Sequence, residues 1–191
     1  MVEVERDQLF YRQSGGGVTL GGGEPLAQPQ FLGAILQALR VQRIHSAVDT
    51  CGQAPTETVQ ALVPWVDLWL YDLKVMDPRI HRLYTGQSND LILENLSVLA
   101  QQGAPIWVRM PVIPGINDLS ENVRHTAEFL NDLGLPEIHL LSYHAGGSEK
   151  AERMGLSDRS GRFNTPTEEE MNALAEQFRE QGIQAKREGR S

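Results

Sequence analysis

The chain has 191 residues and a mass of 21.3 kDa, enough for one domain over residues 1–191 with a substantial core. A net charge of −8 and a pI near 5.1 argue against nucleic acid or an anionic membrane as the main partner. No apolar run approaches the length that spans a bilayer, and the single cysteine, Cys51, excludes an internal disulfide and makes a reducing cytoplasm the expected compartment. It also excludes a cysteine-only iron–sulfur site built from this chain alone.

Residues 3–12 read as a short helix. Val18-Thr19-Leu20 is β-capable and runs directly into Gly21-Gly22-Gly23-Glu24-Pro25. Glycine lets such a turn adopt positive φ and bring bare backbone against a ligand. Phe31, Ile35, Leu36 and Leu39 recur at helical spacing and predict a helix over 28–41. Residues 44–49 form the next strand, ended by Thr50-Cys51-Gly52, and Pro55 opens another helix. Residues 66–72 have the apolar character of a strand buried on both faces.

Ser88 is the expected cap of a helix over 89–101, with Leu91, Ile92, Leu96 and Leu99 as its stripe and Gly103 as its stop. Ile106-Trp107-Val108 begins a strand that Pro111 and Pro114 are expected to end, and Asp118 or Ser120 then caps a helix closed by Gly134. Residues 138–141 read as a buried strand and 145–165 as a polar loop. Thr167-Glu-Glu-Glu170 has the form of a capping box, and 182–186 suggests a last strand.

Strand and helix thus alternate along the chain, which predicts an α/β fold with a parallel sheet. A full eight-unit barrel needs about 250 residues, so the expectation is a partial (βα) barrel of about five to six parallel units.

In parallel βα structures the residues just past each strand's C-terminal end converge on one face, where ligands bind. Here those residues are Gly22, Gly23 and Glu24, then Asp49 and Thr50, then Asp72 and Lys74, then Arg109, then Tyr143 and His144. Singly each has a structural explanation, such as an Asp72–Lys74 ion pair or a loop histidine at 144. His45, His81, His125 and His139 keep that structural reading. Together, the strand-end groups suit a zwitterionic ligand: carboxylates and carbonyls take its ammonium, and Lys74 or Arg109 its carboxylate. Physical chemistry does not name that ligand.

The segments Gly17-Val-Thr-Leu-Gly-Gly-Gly-Glu24-Pro25, Asp49-Thr50-Cys51-Gly52, Asp72-Leu73-Lys74, Trp107-Val-Arg109 and Leu140-Leu-Ser-Tyr-His144 resemble, in order and spacing, the glycyl-radical-enzyme activating enzymes of the radical S-adenosylmethionine superfamily. The resemblance runs from Arg6-Asp7-x-x-Phe10-Tyr11 to the final helix. It implies an oxygen-sensitive oxidoreductase that cleaves S-adenosylmethionine reductively and installs a glycyl radical on a partner enzyme. An electron donor such as flavodoxin or ferredoxin is implied as a second partner.

By the same resemblance, Gly22, Gly23 and Glu24 receive the amino group of S-adenosylmethionine. Asp49 and Lys74 contact its amino acid moiety, and Arg109 and His144 lie nearer the ribose and adenine. Asp49, Thr50, Leu70 and Asp72 match a monovalent-cation site, with Thr50 and Leu70 contributing carbonyls. Gly21 departs from the serine of many relatives. The larger departure is the family's Cys-x-x-x-Cys-x-x-Cys loop, which holds a [4Fe–4S] cluster and which nothing here supplies. The chain is therefore expected to be the C-terminal part of an activase, inactive by itself, with the first strand missing and the cluster confined to the full-length protein.

Two other readings stand beside this one. A metal-dependent barrel hydrolase could use Asp49, Asp72 and His144, although no paired-histidine motif accompanies them. A non-catalytic binding protein could retain the pocket without the cluster.

Overall fold

A computed structural model describes Tyr11, residues 13–142 and residues 164–188. Its elements are β1 (Gly17–Leu20), α1 (Pro29–Val41), β2 (His45–Thr50), α2 (Thr56–Leu62), β3 (Leu68–Asp72) and α3 (Pro78–Thr85). They continue with α4 (Asp90–Gln101), β4 (Ile106–Val112), α5 (Ser120–Asp132), β5 (Glu137–Ser142), α6 (Glu168–Glu180) and β6 (Gln184–Glu188). Save for Tyr11, the helix expected over 3–12 lies outside the described residues, as does most of the loop expected over 145–165.

The chain divides into two compact units, one of Met1–Asp72 with Ser88–Val108 and one of Leu73–Gln87 with Arg109–Ser191. In the first unit β1 pairs with β2 and β2 with β3, both parallel. Pairing of Thr19 with Ala47 and of Ala47 with Leu68 sets those three on one face, and Asp49 pairs with Leu70 on the same face. Val48, Trp69 and Tyr71 point the other way and are fully buried, as are Leu36 and Leu39 of α1, which packs on β2, and Leu96 and Leu99 of α4. Each such side chain contributes about 1.5–3 kcal/mol of burial.

The expectation of burial on both faces of β3 is thus corrected. Burial alternates with the pleat, and Leu68, Leu70 and Asp72 are only half-buried. Asn89 rather than Ser88 occupies the cap position of α4, while the Ser88 hydroxyl donates to Asp90 Oδ2 (2.8 Å). Of the stripe read for α4, Ile92, Leu96 and Leu99 are buried, and Asn95 joins them unexpectedly.

In the second unit β4 pairs with β5 and β5 with β6, again parallel, with Arg109 opposite His139 and His139 opposite Lys186. Leu73, Met110, Leu130, Ile138, Leu140 and Phe178 are among its fully buried side chains. The capping box at Thr167 forms in both halves. Pro111 does not end β4: it pairs with Leu141, and the strand runs on to Val112. So close to a strand end one missing N–H costs a single ladder bond, and the Pro111 carbonyl accepts from Asn117 Nδ2 (2.7 Å). Neither Asp118 nor Ser120 caps α5; Asp118 accepts from Gly115 N (2.7 Å) and Ser120 donates to Gln177 (3.1 Å).

Candidate functional site

In the first unit β1 delivers the chain into Gly21, Gly22 and Gly23, all exposed. Gly22 has φ +128, a conformation that side-chain-bearing residues rarely adopt, and a Cβ on either Gly22 or Gly23 would meet open space. Their backbone is therefore bare and accessible. Gly21 lies against the second strand: a Cβ there would approach Asp49 Cβ to 3.3 Å. A serine at 21 would need a shift of only a few tenths of an ångström.

Glu24 ends the tract and caps a short turn over Pro25–Ala27, with its Oε1 accepting from Leu26 N (3.0 Å). The same oxygen accepts from Thr50 Oγ1 (2.6 Å). Its Oε2 accepts from Cys51 N (3.0 Å) and Cys51 Sγ (3.1 Å). A cavity of about 420 Å³ opens beside this tract, lined by Thr19, Leu20, Gly23, Glu24, Leu32 and the largely exposed Phe31.

Asp49 sits half-buried on the face it shares with Leu70, whereas the Thr50 side chain points to the opposite, helix-covered face and is 3% exposed. Asp72 follows two residues after Leu70, on the Leu70 face of β3. Behind Thr50 lies Tyr71, whose phenol donates to Ile92 O (2.7 Å). Burial, and then electrostatic repulsion from Cys51 and Glu24 as the phenol ionises, push its hydroxyl well above the ordinary tyrosine range.

In the second unit, described by itself, Lys74 and Arg109 are both half-buried, with Leu73 N donating to Arg109 O (2.8 Å). Opposite Arg109 on the neighbouring strand, His139 keeps its structural role: it is buried, and its Nε2 lies 2.8 Å from Glu137 Oε1. Lys186 Nζ reaches that same oxygen at 2.7 Å. Sequence reading left Glu137 and Lys186 unremarked because they meet only across the β5–β6 register. His144 and Tyr143 lie outside the described residues.

The family model described as the radical SAM superfamily matches residues 2–130. The chain belongs to that superfamily. Radical SAM relatives include the trans-4-hydroxy-L-proline dehydratase activating enzyme of Clostridioides difficile, 39% identical over 92% of this chain and 59% of that protein. The isethionate sulfite-lyase activating enzyme of Nitratidesulfovibrio vulgaris is 45% identical over 77% of this chain and 48% of its own length. This chain thus spans about half to three-fifths of the length of these curated relatives.

A solved domain of pyruvate-formate lyase-activating enzyme from Bacteroides vulgatus superposes with a TM-score of 0.76 at 36% identity, covering 91% of this chain and 99% of that one. The expected α/β fold of the radical SAM type is borne out, and so is the resemblance to activating enzymes. The hydrolase reading loses its support with them. For a [4Fe–4S] cluster the donor set does not fit. The sequence holds one cysteine, its thiol lies against Glu24, and no group of three or more Cys, His, Asp or Glu among the described residues is placed to hold a metal ion. Among the described residues no helix is long and apolar enough to cross a membrane.

Proposed function

We propose that this chain is the S-adenosylmethionine-binding part of an enzyme that activates a glycyl radical enzyme. The observation that carries the reading is the bare backbone of Gly22 and Gly23, open beyond the end of β1, in a chain whose relatives are activating enzymes. Backbone carbonyls of this tract suit an ammonium group, and the Asp49 carboxylate beside Gly21 adds to them. Lys74 takes the ligand's carboxylate, and Arg109 and His144 serve the ribose and adenine. Asp49 and Asp72, with the carbonyls of Thr50 and Leu70, hold a monovalent cation that relieves repulsion between the carboxylates.

When bound, S-adenosylmethionine supplies the superfamily's radical chemistry, directed at a glycine of the partner enzyme. A [4Fe–4S] cluster would need cysteine ligands beyond Cys51, and held by them it would supply the reducing electron. A flavodoxin or ferredoxin is the electron donor that suits such a cluster, and a reducing cytoplasm is the compartment. Calorimetric titration of S-adenosylmethionine into the chain, into Asp49→Ala and into Lys74→Ala tests the assignment. Weak binding is expected, abolished by either substitution; tight binding unaltered by both would overturn it.

A further inference from the structure

We infer that Thr50 is a positioning residue, whose buried hydroxyl holds the glycine tract in place through the Glu24 carboxylate, and that Glu24 is a brace rather than a ligand contact. The inference rests on reading that tract as a ligand-binding segment. It narrows the expectation that the segment Gly22, Gly23 and Glu24 receives the amino group: the glycines keep that role and the Glu24 side chain does not share it.

An ionised carboxylate offers about four acceptor sites. Four donors of the protein itself approach Glu24: the amides of Leu26 and Cys51, the hydroxyl of Thr50 and the thiol of Cys51. A bound ammonium would have to displace one of them. Thr50 in turn does two things at once. Its Oγ1 donates to Glu24 at 2.6 Å and accepts from Gly52 N at 2.8 Å. At 3% exposure, on the face opposite Asp49, this hydroxyl is out of reach of anything lying over the tract.

The chain of contacts continues inward. Asn95 of α4, wholly buried, donates from Nδ2 to both Gly52 O and Ala54 O at 2.8 Å. The loop after β2 is thus fixed from behind by a helix, and it fixes Glu24 in front. Gly22 and Gly23 have no side chains to anchor them. Their position is set at one end by the β1 ladder and at the other by Glu24.

The experiment compares the wild-type chain with Thr50→Val, Thr50→Ser and Glu24→Gln. Amide hydrogen exchange is first measured without ligand, and S-adenosylmethionine is then titrated. Thr50→Val removes two hydrogen bonds, so exchange should rise about tenfold at Gly52, whose amide loses its acceptor, and by about as much at Leu26 and Cys51, whose carboxylate acceptor loses its anchor. Thr50→Ser should stay near wild type. Glu24→Gln should match Thr50→Val at Cys51, because an amide nitrogen cannot accept from Cys51 N–H, and should leave Gly52, which bonds to Thr50, near wild type. Affinity should fall about tenfold in Thr50→Val and in Glu24→Gln, and no further in the double variant, since both act through one contact.

Unchanged exchange in Thr50→Val, or a uniform rise across β2 and α1, would overturn the inference. So would a Glu24→Gln variant that loses affinity while its ligand-free exchange is unaltered. A wild-type chain that binds no S-adenosylmethionine would instead remove the reading of the tract as a ligand site, and the exchange arm alone would then decide whether the brace exists.

Discussion

A Cβ placed on Gly52 would lie 1.7 Å from the hydroxyl oxygen of Tyr71 and 2.3 Å from its Cζ. Gly52 also has φ +75, so an L side chain is disfavoured there twice over. Tyr71 cannot yield, being fully buried and tied to Ile92 O at 2.7 Å. Gly52→Ala should therefore destabilise the chain by about 2–5 kcal/mol, combining left-handed strain with overpacking. Removing the hydroxyl should not help, because Cζ remains in the way. Urea unfolding of Gly52→Ala in the Tyr71→Phe background checks this, and a restored midpoint would show that the hydroxyl alone, and neither the ring nor the left-handed strain, causes the loss.

Asn95 invites a related prediction. Its amide serves two carbonyls at a fully buried position, so Asn95→Ala leaves both Gly52 O and Ala54 O without that donor. Gly52 O keeps the amide of Ala54 (2.9 Å) and loses one of two donors, about 0.5–1.5 kcal/mol, whereas orphaning Ala54 O costs about 1–3 kcal/mol, so a loss of about 2–4 kcal/mol is expected. Asn95→Leu fills the space but not the need, and should be no better. A Leu variant as stable as wild type would show that the two bonds contribute little.

The glycine tract and the aspartates were placed near strand ends because βα alternation is periodic, whereas Arg109, expected past its strand's end, lies inside β4, three residues before Val112. Gly22, Gly23 and Asp49 could be placed from spacing alone. Glu24 shows the limit: a carboxylate after three glycines reads as a ligand group, and nothing local reveals that its partners lie 26 and 27 residues away. Asn95 went unread inside the apolar stripe of α4, since periodicity cannot distinguish a polar residue that faces water from one that feeds a buried loop. Pro111 misled for the opposite reason. A residue rule that holds in the middle of a sheet was applied one residue from a strand's end.

Glu137 gives the chain a pH-dependent element. The hydrogen bond from Lys186, followed by that from His139, holds its carboxyl below the ordinary value of 4.5. A carboxyl whose folded pKa is depressed stabilises the fold fully above its unfolded value, and that contribution is lost as pH falls through the folded one. Stability should therefore drop in acid, below the ordinary glutamate range, and Glu137→Gln should flatten that part of the profile. Carboxyl chemical shifts followed by NMR give the midpoint directly. Lys186→Met should raise it more than His139→Gln does; the reverse order would reassign the dominant partner.

The last prediction concerns ions. Cross-strand pairing puts Asp49 beside Leu70, and Asp72 follows on the same face of β3, so two carboxylates lie on one side of adjacent strand ends. Like charges so arranged repel unless a cation lies between them. If a monovalent cation occupies that place, S-adenosylmethionine should bind more tightly in potassium than in a tetraalkylammonium salt of equal ionic strength, since a bulky cation cannot enter a cage of carboxylates and carbonyls. Equal ionic strength matters because general screening would otherwise mimic the effect. Asp72→Asn removes one carboxylate while keeping its shape, and should erase the difference between the two salts. Equal affinities in both salts for the wild-type chain would mean that the carboxylates are neutralised by the protein's own cations, and the ion site would fall with them.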